Sequence, residues 1–433
     1  MNKIVICGLS NRALKMFIEP ILKRFPNKNK IVALLDFDSR RYDQCLDMYP
    51  ELANVPFYLP NQFTQMVKEA GITKVIVTSR DDTHVDYILQ ALALDLDVIS
   101  EKPMVTTAED ACRVLEAEQN SKGRVTVAFN YRYSPHHLKI KELIQSGAIG
   151  RVTSVDLNWY VDTYHGSSYF KRWNRNRAFS GGLSIHKSTH HFDLVNWWVN
   201  QLPETVFAFG DLHYYGSASE LNPSKKDGRH CGTCTEQQDC SYYRRWFGRG
   251  DSAVAKDDHL MAGQDVQAYS DYRPDSCIFD SEIEIEDTYA ATIRYSGGTL
   301  LSYSINFSVP YEGYRLAFNG TKGRIETQEY HSPSRTPFPV AAQTIDYIPL
   351  FGSKQIIHVV ENEGGHGGGD PLIQEDLFLG VDQTRPVEVL AGAEAGAYSI
   401  AVGEAVWKSV KEGKPITVQS LLQRDWEEQR SIT

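Results

Sequence analysis

Over the first 128 positions the apolar residues fall in short unbroken runs separated by stretches of helical spacing. Lys3 to Cys7 ends at Gly8, Ile31 to Leu35 is closed by Asp36, and Val75-Ile76-Val77 stops at Thr78-Ser79. Between them, Leu14, Phe17, Ile18, Ile21 and Leu22 share one face over residues 11–25, as Val85, Ile88, Leu89 and Leu92 do over 83–94. Val98-Ile99 leads into Glu101-Lys102-Pro103, and Val125 to Ala128 closes the series. Strands apolar on both faces, alternating with amphipathic helices, predict a doubly wound parallel sheet over residues 1–128.

Past residue 150 the texture changes. Val152 to Val161 alternates and carries aromatic residues, while Thr288 to Tyr295 and Thr299 to Phe307 flank a glycine turn as a hairpin would. Arg315–Asn319 and Gly323–Glu326 add a further pair, Ala391 to Lys411 a helix, and Pro415–Val418 a short strand. Residues 129–418 are therefore expected to form an α/β domain on a large, mainly antiparallel sheet, with a polar, cysteine-containing insertion at about 214–278. Residues 419–433 read as a tail. The other face of that sheet is expected to be open and rich in aromatic residues, and covered by another copy in a homodimer or homotetramer.

Composition narrows the options only a little. The chain has 433 residues, 42% of them hydrophobic, and a formal net charge of -10, which disfavours a nucleic-acid partner. No run approaches the roughly 18 apolar residues of a membrane span, and Met1-Asn2-Lys3 leads straight into the first strand, so a cytoplasmic location is expected.

Gly8-Leu9-Ser10-Asn11-Arg12-Ala13 occupies the strand-to-helix turn where a dinucleotide fingerprint would read G-x-G-x-x-G/A. The first glycine allows the turn, and small residues let backbone amides approach a pyrophosphate at the helix start. Asp36 ends the second strand, where a carboxylate can accept from both ribose hydroxyls and repel a 2′-phosphate, so NAD is favoured. Arg40 and Arg41 follow closely and keep NADP in view. Beside an oxidised nicotinamide, Lys102 would feel desolvation and a like charge, lowering its pKa so that it can serve the substrate oxygen.

Taken with Lys3–Ala13, Asp36, Thr78 to His84, Glu101-Lys102-Pro103 and Asn130-Tyr131-Arg132, the chain resembles the glucose-fructose oxidoreductase / inositol dehydrogenase / MocA family. The resemblance spans most of the chain outside the insertion. It implies a Rossmann domain, a second α/β domain, and NAD(P)-linked oxidation or reduction of a sugar, sugar derivative or cyclitol. It places Gly8, Ser10, Asn11, Arg12, Asp36, Thr78, Ser79, His84, Glu101, Lys102 and Asn130 at the cofactor, with a cis bond before Pro103. It also maps His190 onto the family's catalytic histidine, which takes a hydroxyl proton as hydride leaves the same carbon.

The segment Gly181-Gly182-Leu183-Ser184-Ile185-His186-Lys187-Ser188-Thr189-His190-His191-Phe192-Asp193 puts residues 186, 190 and 193 on one helical face. Here the sequence departs from the family, which commonly has aspartate where His186 stands. His186-Lys187 changes the charge beside the reacting centre, so either the substrate is recognised differently or another acid has taken the aspartate's role. His186 and His190, with Asp193 or His366, also have the spacing of a metal site. Arg132, Tyr160, Tyr164, His165, Arg172, Trp173, Asp193 and His366 are candidates to grip a polyol. His366 lies in Gly364-Gly365-His366-Gly367-Gly368-Gly369-Asp370, a run costly to order unless its backbone meets a ligand.

Of the seven cysteines, Cys7, Cys45 and Cys112 read as single buried thiols. Cys231, Cys234, Cys240 and Cys277 could close a structural zinc site, with His230 as a substitute ligand and an iron–sulfur cluster as the competing reading. An insertion poor in apolar residues would gain from such a cross-link. The sequence thus favours an NAD-linked oxidoreductase with Lys102, His190 and His186 at the reacting centre. Its rivals are a glycosidase that cycles a bound NAD, and a sensor that binds NAD and a sugar without turnover.

Overall fold

The computed structural model describes residues 1–246, 272–360 and 362–422. The expected parallel sheet is present. It is built from Asn2–Cys7 (β1), Asn29–Leu35 (β2), Phe57–Tyr58 (β3), Lys74–Val77 (β4), Asp97–Ser100 (β5) and Val125–Val127 (β6). Each strand is followed by helical structure, so both faces are covered and Ile4 to Cys7 and Val75 to Val77 are fully buried.

Among the described residues the second sheet has nine strands. They are Val152–Asp162 (β7), Pro203–Asp211 (β8), Thr288–Tyr295 (β9), Leu300–Val309 (β10), Glu312–Gly320 (β11), Gly323–His331 (β12), Thr344–Pro349 (β13), Gln355–His358 (β14) and Ile416–Thr417. Their pairing is antiparallel except where β7 meets β10. One face buries Val155, Leu157, Trp159 and Val161 of β7 against helices. The opposite face is more polar than the sequence suggested: Ser304 Oγ donates to Asn158 Oδ1 at 2.7 Å and Asn319 Nδ2 to Ser154 Oγ at 3.0 Å. Phe209 and Leu300 are exposed apolar side chains on these strands.

Two features cross between the sheets. Ala391–Gly392 pairs antiparallel with β6, so a C-terminal segment supplies the seventh strand of the parallel sheet. Helix Ala393–Glu412 packs on β8, on helix Thr189–Val199 and on helix Ala108–Gln119, tying the layers together. Among the described residues no helix is long and apolar enough to cross a membrane.

The insertion does have anchors of its own. Tyr215 stacks on Phe170 with centroids 3.8 Å apart, Trp246 packs on Tyr164, and Tyr242 bonds to Ser167 at 2.6 Å. These aromatic residues dock it on helix Thr163–Lys171. Residues 247–271 of the insertion and 423–433 of the expected tail lie outside the described residues.

Candidate active site

The glycine turn is shaped first by the protein itself. Gly8 has φ +96°, and a Cβ there would stand 2.4 Å from the backbone N and Cα of Ser79. Ser10 Oγ accepts from Ala13 N at 3.2 Å, fixing the turn into the following helix. Asp36 accepts from Leu9 N (2.6 Å) and Asp38 N (3.0 Å), one bond per carboxylate oxygen, leaving further lone pairs for ribose hydroxyls. Thr78 Oγ1 donates to Gly8 O, and the His84 ring bridges Pro103 O and Ser79 O. Both are therefore struts between loops. Ser79 Oγ pairs with Thr83, while Asn11 is half-buried at the turn. The turn, the helix start and the acidic end of β2 fit a dinucleotide.

Arg12 extends that edge toward the second domain. Its Nε donates to Glu101 Oε1 at 2.6 Å, and its Nη1 lies 3.5 Å from Asp370 Oδ2. Asn130 Nδ2 donates to Asp370 Oδ1 at 2.7 Å, while Asn130 Oδ1 is buried without a partner. Asp370 in turn holds His366 Nδ1 at 3.1 Å. The glycines around His366 pack closely on the protein itself. A Cβ on Gly369 would meet Asn130 O at 2.5 Å, and one on Gly368 would meet Asn362 Cβ at 2.5 Å.

Lys102 follows β5, with a cis bond to Pro103. Its Nζ donates to the carbonyl of His186 at 3.1 Å. Burial lowers its pKa to about 8, with Asp81 and Glu101 opposing and Lys187 and Arg12 assisting the fall.

His186 and His190 stand one turn apart but in different company. His186 Nδ1 meets Asp81 Oδ2, and its Nε2 faces Asn174 Nδ2 at 3.2 Å. Donation from the asparagine amide leaves the proton on Nδ1, so Asp81 fixes tautomer and ring direction. A carboxylate from the loop after β4 thus stands against His186, the position at which the sequence departs from the family's common aspartate. His190 packs edge-on against Tyr131 with centroids 4.7 Å apart, and its buried Nδ1 has no partner among the described residues. Burial, then Lys102 and Lys187, hold its pKa well below the ordinary value, so the ring is neutral. His366 completes the cluster, 5.2 Å from Tyr131 and 6.3 Å from His190 between ring centroids.

The expected sugar-gripping residues divide. Trp173 packs edge-on to His186 at 5.6 Å, and His165 Nδ1 pairs with Glu312 at 2.9 Å while its Nε2 meets Tyr169 Oη. Arg172 bonds to Ser168, and Tyr164 is buried between Trp246 and the Arg335 guanidinium. Tyr160 packs on Tyr311 instead of joining the histidines. Arg132 and Asp193 pair with each other through two buried bonds of 2.6 and 2.7 Å, so each has its charge partner within the protein.

Sequence reasoning missed Asp81, Asn174, Glu312, Glu329 and His331. Only Asp81 carried a signal, since it lies inside the Thr78–His84 segment.

The metal expectations meet a different geometry. Among the described residues no group of three or more His, Cys, Asp and Glu side chains is arranged to hold a metal ion. His186 is bound to Asp81, and Asp193 to Arg132, so the helical trio does not converge. Cys231, Cys234, Cys240 and Cys277 do line one small cavity of about 20 Å³, all as free thiols. Backbone amides of Glu236, Tyr243 and Phe279 donate to three of their sulfurs at 3.4–3.5 Å. Burial raises Cys231 to about 11 and Cys277 to about 12.

Comparison with known proteins agrees with this layout. The family description "Oxidoreductase family, NAD-binding Rossmann fold" matches residues 2–129, and "Oxidoreductase family, C-terminal alpha/beta domain" matches 141–418. YteT of Bacillus subtilis (strain 168), named as an oxidoreductase, is 63% identical over 424 residues, covering 98% of this chain and 99% of its own. An inositol 2-dehydrogenase of Rubrobacter xylanophilus is 27% identical over 188 residues, covering 42% of this chain and 48% of its own. A levoglucosan dehydrogenase solved with NADH and levoglucosan shares the fold, with a TM-score of 0.66 at 14% identity over 96% of this chain and 99% of its own.

Proposed function

The chain belongs to the Gfo/Idh/MocA oxidoreductase family, and from that premise we propose that it transfers hydride between NAD and a hydroxyl-bearing carbon of a sugar, sugar derivative or cyclitol. The observation that carries this reading is the bond from Lys102 Nζ to His186 O. It brings the lysine at the end of the nucleotide-binding sheet onto the turn that bears both site histidines.

Bound NAD supplies the hydride acceptor or donor; binding, orientation and proton movement fall to the protein. His190, neutral and buried, accepts the hydroxyl proton. Lys102, with its pKa of about 8, donates to the same oxygen as charge develops on it. His186, held by Asp81 and Asn174, fixes the turn whose carbonyl receives Lys102 and so positions the lysine beside the substrate. Asp36 selects NAD over NADP by repelling a 2′-phosphate. The same reading puts a second copy of the chain on the open sheet face, around Phe209 and Leu300, which sedimentation would test.

The test is nicotinamide absorbance with NAD and a panel of sugars, cyclitols and glycosides. A steady rise with one class supports a releasing dehydrogenase. Absence of reduced cofactor and of product with every compound would overturn the reading. His366 favours one alternative, because a second imidazole near His190 suits elimination from a transiently oxidised sugar. Glycoside cleavage without net NADH would select that reading.

A further inference from the structure

Lys187 is 4% exposed, and its side chain makes no hydrogen bond or ion pair among the described residues. Its Nζ lies 5.8 Å from the Tyr131 ring centroid and 5.9 Å from that of Trp159, so two aromatic faces hold it in position. The nitrogen is nonetheless not fully sealed from solvent, so it keeps an open side. It acts electrostatically on Lys102, His190, His366 and Glu312, which places it inside the cluster built above.

A buried unpaired ammonium is costly, and such groups are normally matched. The local carboxylates are already taken. Asp81 holds His186, and Asp370 holds His366, Asn130 and Arg12. Glu312 holds His165 and Arg335, while Glu329 faces His331 and His136. No carboxylate lies within ion-pair distance of Lys187 among the described residues. The missing partner is therefore one that a ligand brings.

We propose, building on the function argued above, that the substrate is an acidic sugar whose carboxylate pairs with Lys187. One ammonium, without an adjoining arginine pair or helix N-terminus, matches a monoanion better than a phosphate dianion. A uronate or an aldonate has the required single charge beside its hydroxyls. This also gives a physical meaning to the lysine that follows His186.

The experiment is calorimetric titration of the NAD-loaded full-length protein with glucuronate, galacturonate, gluconate, glucose, galactose and glucose 6-phosphate. At least one carboxylate sugar is expected to bind about tenfold or more tighter than its neutral counterpart, the size of a charge-assisted contact. Lys187→Met should bring that ratio close to one, and Lys187→Arg should preserve most of it. Burial lowers the Lys187 pKa, so in the wild type the preference should also fade as pH rises, while hexose binding stays flat. Equal binding of acidic and neutral sugars, a preference that survives Lys187→Met, or tighter binding of glucose 6-phosphate would each overturn the assignment. Binding is read without turnover. Lys187-dependent uronate binding with no NADH from any sugar would sink the dehydrogenase reading and leave this one standing.

Discussion

Asp81 Oδ2 lies 2.5 Å from His186 Nδ1, joining a loop after β4 of the nucleotide-binding sheet to the histidine-bearing segment of the second domain. Asp81 also raises the Lys102 pKa against the effect of burial. One carboxylate therefore fixes the tautomer of His186 and, with Glu101, favours the charged form of Lys102. Asp81→Asn is expected to keep the size and lose both effects. A buried charge-assisted bond of about 1–3 kcal/mol corresponds to a fall of roughly 5- to 150-fold in kcat/KM. Steady-state kinetics check this. An unchanged pH profile in the variant would show that the pair is only structural.

Lys102 gives a pH dependence with a definite sign. Its pKa is lowered to about 8, chiefly by burial, so the ammonium is lost as pH rises through that value. If it donates to the substrate oxygen, kcat/KM should decline above pH of about 8, and the decline should vanish in Lys102→Met. That variant is expected to lose about 10²- to 10⁴-fold in activity. Its fold should not suffer, because a buried ammonium opposes folding at neutral pH. Thermal melting beside kinetics separates the two effects.

The alternation of apolar runs and helical faces made the parallel sheet legible, as β1, β2 and β4 show. So was the β9–β10 hairpin, because its two halves are adjacent in the chain. The strand Ala391–Gly392 was not legible: two residues have no period, and their partner β6 is more than 260 positions away in sequence. The site divides in the same way. Lys102 and His190 sit in local motifs, whereas Glu312 and His331 reach the cluster only through the pairing of β11 with β12. The pairing of Arg132 with Asp193 was not legible for a related reason. Sequence shows a charge but not its partner, and 61 positions separate this pair.

Arg132 and Asp193 make two hydrogen bonds while 8% and 1% exposed at the side chain. Removing one partner strands the other charge in the interior. Asp193→Ala should therefore destabilise the fold by about 3–5 kcal/mol. Urea unfolding at pH 7 is the measurement. A loss of sugar affinity with unchanged stability would return Asp193 to the substrate.

His331 makes the last prediction, and it concerns stability rather than turnover. Burial works against its charge, but contacts with Glu312 and Glu329 prevail and raise its pKa to about 9. Unfolded histidine titrates near 6.5, so the folded state holds the proton more tightly. The resulting contribution is fully present below pH of about 6.5 and is lost as pH rises through about 9. The shift amounts to about 3 kcal/mol, an order-of-magnitude figure. Unfolding free energies of the wild type and His331→Gln, measured between pH 6 and 10, should therefore differ most at the acidic end and converge above pH of about 9. Glu329, held at about 2 by the same contacts, stays charged throughout that window and adds no slope of its own. A gap that stayed constant with pH would mean that His331 is neutral in the fold, and that the two glutamates draw their compensation from His136, His165 and Arg335 alone.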